Sequence, residues 1–197
     1  MAKSCILILS LCLLQFVCGG VVRREAPVDV ATKSPLAEFS NAAEEAVAKF
    51  QSAFMDLFGV KSQDELVDLF RVESRKYANK LQDIASELTA EAQKHSGTFD
   101  DAVKQVKDKI TETVNDIESK NPEFFADTKQ YQEKFETQLR AVLQETERFS
   151  AKLKEEGAVV GSNFEKVAKD LYQTTAQTAK VFSEKVEDVV KEQRNKL

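Results

Sequence analysis

Hydrophobic residues recur at spacings of three and four from residue 34 to the end of the chain, which is the period of an amphipathic α-helix. Glycine and proline interrupt this pattern at only a few places. The interruptions divide the pattern into five predicted helices. They cover residues 34–59, 62–97, 98–121, 122–157 and 162 onward.

The predicted helix starts carry capping signals. Ser34 precedes Pro35, and the pairs Ser62 with Glu65 and Ser162 with Glu165 are spaced as capping boxes. Gly97 is placed to end the second helix in a left-handed conformation, as Gly59 would end the first. Because the connections are short, successive helices must run antiparallel. The predicted fold is therefore an all-α, up-and-down bundle of five long amphipathic helices.

Residues 121–125 interrupt the pattern with a proline and two adjacent aromatic residues. Pro122 ends the helix before it, and Asn121 can cap the next helix with Pro122 at its first position. Two interpretations of Phe124 and Phe125 stay open. They fold into the core beside a helix boundary, or they lie at a hinge that carries apolar side chains to the tip of the bundle.

The N-terminal residues predict secretion. Residues 1–19 have an early positive charge, a short apolar run and small residues at the end, as in a secretory signal peptide. Residues 20–24 form a predicted propeptide ending at the dibasic pair Arg23-Arg24. Residues 25–33 form a flexible N-terminal segment and residues 34–197 the bundle.

Cysteine use and charge narrow the class of protein. All three cysteines lie within the predicted signal peptide, so the mature chain would have no disulfide. Removing residues 1–24 leaves 25 basic and 33 acidic residues, a net charge of −8. That balance argues against nucleic-acid binding, which needs a basic surface.

The titratable residues do not suggest an enzyme. The one histidine, His95, lies in the last turn before Gly97, where an imidazolium complements the helix dipole. The acid pairs Glu44-Glu45 and Glu155-Glu156 lie on polar faces with no pocket to tune them. No phosphate-binding glycine loop or metal-ligand pattern is present, so neither a cofactor nor a metal is expected.

The apolar helix faces themselves are the strongest functional signal. They are rich in Phe and Val but contain Thr128, Thr146 and Thr175, which predicts a bundle of modest stability. Such faces can exchange neighbouring helices for lipid tails at little net hydrophobic cost. The residues predicted to bind lipid through helix faces are Phe39, Phe50, Phe54, Leu66, Phe70, Leu81, Ile84, Val103, Ile110, Ile117, Phe135, Leu139, Phe149, Leu171, Phe182 and Val186.

Two connections predicted to lie at the same end of the bundle are unusually apolar for turns, and an apolar tip is suited to a first contact with lipid. The residues predicted to start lipid contact are Leu57, Phe58, Val60, Phe124 and Phe125.

The chain resembles the apolipophorin III family. The resemblance rests on residues 22–27 after the signal peptide, on the cysteine-free acidic chain with five capped helices, and on the Pro122 segment continuing into residues 138–146. It implies a short connector helix between helices three and four, at residues 122–128. It further implies binding of diacylglycerol-enriched lipoproteins by opening of the bundle, with loop residues sensing lipid. Recognition of lipopolysaccharide and β-glucan in innate immunity is implied as well.

The leading hypothesis is a secreted haemolymph apolipoprotein that is monomeric when lipid-free, has no transmembrane span and binds lipoprotein, phospholipid and diacylglycerol surfaces reversibly. One alternative is an immune recognition protein that binds microbial surfaces through lysines such as Lys104, Lys107 and Lys109. A second alternative is a purely structural helical bundle, which predicts indifference to lipid.

Overall fold

A computed structural model describes residues 35–55, 63–95, 97, 99–119, 128–155 and 162–195. Five α-helices and no strand occur among these residues, as the sequence predicted. In chain order, α1 to α5 are Pro35–Met55, Gln63–Ala92, Asp100–Ser119, Thr128–Glu155 and Ser162–Asn195.

The helix starts agree with the predicted signals to within a few residues where the structure describes them. α1 begins at Pro35 and α5 at Ser162. α2 ends at Ala92, five residues before the predicted end at Gly97, because residues 94 and 95 bond back three residues in a turn. Gly97 lies in the connection to α3 with φ of 109°, which an L-residue with a Cβ rarely adopts, so glycine is favoured there. The predicted connector helix at residues 122–128 falls almost wholly outside the described residues, which resume at Thr128.

Side-chain contacts establish the direction of each helix. Glu73 meets Lys185 and Glu91 meets Asn163, so α2 and α5 are antiparallel. Paired contacts near the two ends of the other helices show that α4 is antiparallel to both α1 and α5. Contacts of the same kind show that α1 is parallel to α5. α3 begins beside the start of α5, where Phe99 contacts Phe164. Directions therefore alternate along the chain, as predicted for an up-and-down bundle.

The order of packing around the bundle does not follow the order of the chain. α1 packs most extensively on α5 and then on α4, but only marginally, if at all, on α2. α3 packs between α2 and α4. α5 contacts α1, α2 and α4, so the last helix joins the first helix to the rest of the bundle. One continuous apolar core lies between the five helices.

Candidate functional site

The apolar faces predicted to bind lipid form the core of the closed bundle. Phe39 is partly buried against that core, and the side chain of Phe54 lies outside the described part of the chain. The others are buried: Phe50, Leu66, Phe70, Leu81, Ile84, Val103, Ile110, Ile117, Phe135, Leu139, Phe149, Leu171, Phe182 and Val186. In this state the faces are inaccessible, so contact with a lipid surface requires helices to separate.

The five residues predicted to start lipid contact, Leu57, Phe58, Val60, Phe124 and Phe125, lie outside the described residues. Their place at the tip stays a prediction. The helix ends that flank both segments point toward the same end of the bundle, because α1 and α3 run one way and α2 and α4 the other. Those flanking ends are Met55, Gln63, Ser119 and Thr128.

An aromatic cluster occupies the core near that end. The ring of Phe182 from α5 lies 5.6 Å from Phe50, 5.0 Å from Phe70 and 4.9 Å from Phe135, measured between ring centroids. Tyr131 lies 4.8 Å from Phe70 in an edge-to-face arrangement. Each such pair adds roughly 0.5–1.5 kcal/mol beyond the area it buries. The cluster joins α1, α2, α4 and α5, and α3 contributes no ring to it.

Three buried tyrosines are each paired with a serine or threonine of another helix, which sequence reasoning did not identify. Tyr77 of α2 and Thr175 of α5 approach to 3.1 Å. Tyr131 of α4 donates to Ser74 of α2 at 2.9 Å. Ser150 of α4 and Tyr172 of α5 lie 3.4 Å apart. Burial raises the pKa of all three phenols, and the hydrogen bonds with the paired hydroxyls oppose this increase.

These hydrogen bonds reduce the energetic cost expected for the polar residues that were predicted to lie in the core. Thr146 and Thr175 are fully buried as expected, but neither hydroxyl is left without a partner. Thr146 donates to the Val142 carbonyl at 2.7 Å, and Thr175 is paired with Tyr77. Hydrogen bonding offsets the desolvation penalty that the prediction of modest stability assumed. The side chain of Thr128 lies outside the described part.

Buried acids at the contacts between helices, here called seams, form ion pairs with lysines of the same helix or of a neighbouring helix. Glu73 accepts from Lys185 of α5 at 2.6 Å and from Lys76 at 2.9 Å. Burial alone would raise the pKa of Glu73, but the two lysine hydrogen bonds outweigh it, so the pKa lies below its ordinary value. Glu73 and Ser74 follow Phe70 at helical spacings of three and four, so the apolar periodicity of α2 could have identified Glu73 as a residue facing the neighbouring helices.

His95 has a different setting from the one expected. It follows the end of α2, and its Nε2 lies 3.1 Å from Oε1 of Glu91, a buried acid that also accepts from Asn163 of α5. The imidazole ring lies 5.8 Å from the ring of Phe164. The hydrogen bond of Lys94 is the main cause of a lowered pKa at Glu91. His95 is thus part of a polar contact that joins the end of α2 to the start of α5.

The acid pairs noted in the sequence are exposed where the structure describes them. Glu45 pairs with Lys49 at 2.8 Å. A hydrogen bond with Glu147 raises the pKa of Glu44. Glu155 pairs with Lys152 at 3.4 Å, and Glu156 lies outside the described residues.

The described ranges contain no group of three or more His, Cys, Asp or Glu side chains arranged to hold a metal ion. Within the same ranges, every helix is too short or too polar to cross a membrane.

An open groove of about 1170 Å³ runs between α1 and α5. Alanines and charged or amide side chains line much of it, among them Ala42, Ala46, Lys49, Gln177 and Lys180. A pocket for a small apolar ligand is lined mainly by hydrophobic and aromatic side chains. Phe39 and Tyr172 are its aromatic lining residues, and the other large apolar side chains of the described helices lie mainly in the core between the helices.

The family to which the chain belongs follows from a match to a family model described as Apolipophorin-III precursor (apoLp-III), which covers residues 44–189. The chain is a member of the apolipophorin III family. Comparison with curated proteins and with solved structures found no match.

Membership of the apolipophorin III family makes this chain a lipid-binding exchangeable apolipoprotein. The matched region begins within α1 and ends within α5, so it spans the buried faces of all five helices. In the structure these faces pack against one another in the core. The family is a lipid-binding and non-enzymatic one whose members are secreted into haemolymph.

Proposed function

We propose that this apolipophorin III is secreted, circulates in haemolymph as a lipid-free monomer, and coats diacylglycerol-carrying lipoprotein particles by opening its bundle. The observation that carries the proposal is that the described lipid-face residues, of which Phe39 is only partly buried, lie in or against one core shared by all five helices. A structural bundle and an exchangeable apolipoprotein both need such faces, but the family favours the second. Residues 1–19 and 20–24 are the proposed signal peptide and propeptide.

The lipid-bound state keeps the helices and replaces helix–helix contacts with acyl chains. Hydrocarbon tails are as apolar as leucine, so this exchange changes the hydrophobic energy little. The charged faces, with ion pairs such as Lys104–Asp108 and Lys180–Glu184, would stay in water. The free-energy difference between closed and bound states is then small enough for the presence of lipid to decide between them.

Vesicle clearance tests this proposal. The full chain, mixed with dimyristoylphosphatidylcholine vesicles near their transition temperature, is expected to clear the suspension and to keep or increase its helicity. A protein that leaves the vesicles turbid and whose unfolding temperature does not respond to lipid would refute the proposal. That result would favour the purely structural bundle.

The proposed role of the tip residues is tested by Phe124→Ser and Phe125→Ser. If these side chains make the first lipid contact, the rate of clearance falls more than the final amount of bound protein. Val72→Ser is the matched control, because it removes an apolar side chain that is 49% exposed within α2 and outside the two apolar connections. Equal losses of rate, affinity and stability in the phenylalanine variants would instead place these residues in the core.

Binding of microbial surfaces is the second proposal for this family member, and the structure gives it less support than lipid transport. Lys104 pairs with Asp108 and Lys109 with Glu112, so two of the three candidate lysines already have acidic partners on α3. Lipopolysaccharide stripped of its acyl chains separates the two proposals. Binding that survives deacylation supports headgroup recognition through lysines, and loss of binding assigns the interaction to the apolar helix faces.

A further inference from the structure

α3 differs from the other helices in how it is held. Its buried face is aliphatic apart from Thr113, and consists of Val103, Val106, Ile110, Val114 and Ile117. Among the described residues, its side chains make two hydrogen bonds to other helices. Glu118 accepts from Gln82 at 3.3 Å on the exposed surface, and Asp116 accepts from Gln138 at 3.4 Å at a partly buried site. Both bonds lie at the rim of the core.

Three of the other helices, α2, α4 and α5, are joined by polar pairs inside the core. The three tyrosine hydroxyl pairs described above link α2 to α5, α2 to α4, and α4 to α5, so each seam of this three-helix set contains one buried pair. Glu73 and Lys185 add an ion pair between α2 and α5. α1 inserts Phe50 between Phe135 and Phe182.

These two kinds of seam respond differently to a lipid surface. An aliphatic face moves from a protein core to acyl chains with little change in free energy. A tyrosine hydroxyl that leaves its partner for hydrocarbon finds no water to replace the lost hydrogen bond, so its separation carries a desolvation penalty. The paired serines already donate within their own helices, Ser74 to the Phe70 carbonyl at 2.6 Å and Ser150 to the Thr146 carbonyl at 2.8 Å, so this penalty falls on the phenols. Seams around α3 therefore open onto lipid more readily than seams among α2, α4 and α5.

We infer that α3 is the helix that leaves the bundle first and lays its aliphatic face on the acyl chains of a lipid surface. The three hydroxyl pairs keep α2, α4 and α5 together during this step, and α1 stays packed on α4 and α5. The inference rests on the proposed lipid-binding function, because it names the helix through which that function starts.

The opposite face of α3 suits a helix that lies in a lipid–water interface. Its 20 residues span about 30 Å. Lys104 and Asp108 form an exposed ion pair, and Lys109 pairs with Glu112 while remaining 31% exposed. Lysines at the border of an apolar stripe can extend their ammonium groups toward headgroups while their methylene chains cover apolar surface.

Reversible tethers test the inference. Gln82→Cys with Glu118→Cys places two thiols where α2 and α3 already touch, and a reducible bis-methanethiosulfonate linker joins them. The matched control is Glu87→Cys with Lys166→Cys, an exposed ion pair that joins α2 to α5. Both full-length proteins carry Cys5→Ser, Cys12→Ser and Cys18→Ser, so the introduced thiols are the only ones. Clearance of dimyristoylphosphatidylcholine vesicles is followed with the linker intact and after reduction.

The tether on α3 is expected to slow clearance by roughly tenfold or more, because it blocks the gating motion, and reduction should restore the rate. The control tether is expected to leave the rate within about twofold of its reduced form. No slowing by the α3 tether, or equal slowing by both tethers, would overturn the inference while leaving the proposed function intact. Failure of both reduced proteins to clear vesicles would instead overturn the proposed function. Unfolding curves of all four forms verify that each is folded.

Discussion

Replacing Thr175 with valine removes one hydroxyl from the α2–α5 seam and nearly preserves the shape of the side chain. Thr175 is fully buried and Tyr77 is 1% exposed, with 3.1 Å between their oxygens. In Thr175→Val the Tyr77 hydroxyl stays buried without its partner. A buried hydroxyl left in this way costs about 1–3 kcal/mol, so the free energy of unfolding should fall by that amount.

The reverse substitution should cost less. In Tyr77→Phe the threonine hydroxyl can turn to the carbonyl of Leu171 one helical turn earlier, as Thr146 does with Val142 at 2.7 Å. We expect a loss of about 1 kcal/mol or less from this change. With both hydroxyls removed, neither is left unpaired. The double variant should therefore be more stable than the sum of the two losses predicts, by roughly 1–2 kcal/mol.

Urea unfolding followed by circular dichroism measures all three variants against the parent protein. Thr137→Val is the matched control, because the Thr137 hydroxyl donates to the Glu133 carbonyl on an exposed face. That control should change the free energy of unfolding by less than about 0.5 kcal/mol. Additive losses in the double variant, or a Thr175→Val protein as stable as the parent, would refute the assigned coupling between these hydroxyls.

Three further predictions follow from single residues. The pKa of Glu73 lies below its ordinary 4.5, so the stability that this carboxylate contributes is present above about pH 4.5 and is lost as the pH falls through the folded-state pKa. In urea unfolding between pH 7 and pH 3, the stability of Glu73→Gln should therefore depend less on acid than that of the parent protein. Identical pH profiles for the two proteins would contradict this. Gly97→Ala should lower the free energy of unfolding by about 1 kcal/mol, because a residue with a Cβ is strained at φ 109°. The added Cβ meets no atom within 4 Å, so backbone strain is the only cost. An unchanged thermal midpoint would show that the turn relaxes. Leu139→Ala, at a fully buried position of α4, should lower the free energy of unfolding by about 2–5 kcal/mol, and a loss below about 1 kcal/mol would mean that the core collapses around the cavity.

The number, type and approximate limits of the helices followed from local signals. Apolar spacing identified five helices, and Pro35 and Ser162 mark boundaries that the structure reproduces, whereas α2 ends at Ala92, before Gly97. These signals act through a residue's own backbone and its neighbours within one helical turn, so they can be identified from the linear sequence. The apolar faces of the candidate site were legible for the same reason, and their described residues are buried apart from partly buried Phe39.

The neighbours of each helix were not predictable in this way. Short connections predicted alternating directions, which already make α1 parallel to α5, but they did not predict that α1 would pack on α5 and barely contact α2. Packing of α1 depends on how its alanine-rich face fits two helices more than 70 residues away in the chain, α4 and α5. Complementarity of that kind is a property of assembled surfaces and has no local signature.

The sequence alone thus determined an acidic all-α protein whose apolar stripes must be covered either by one another or by lipid. Only the tertiary structure decided which polar residues meet inside the core: Tyr77 with Thr175, Tyr131 with Ser74, and Glu73 with Lys185. Periodicity identifies the face on which a hydroxyl lies but not the partner opposite it. Because the energy of a buried polar group depends on that partner, the distinction between the aliphatic α3 and the hydroxyl-linked helices emerges only when the seams are assembled.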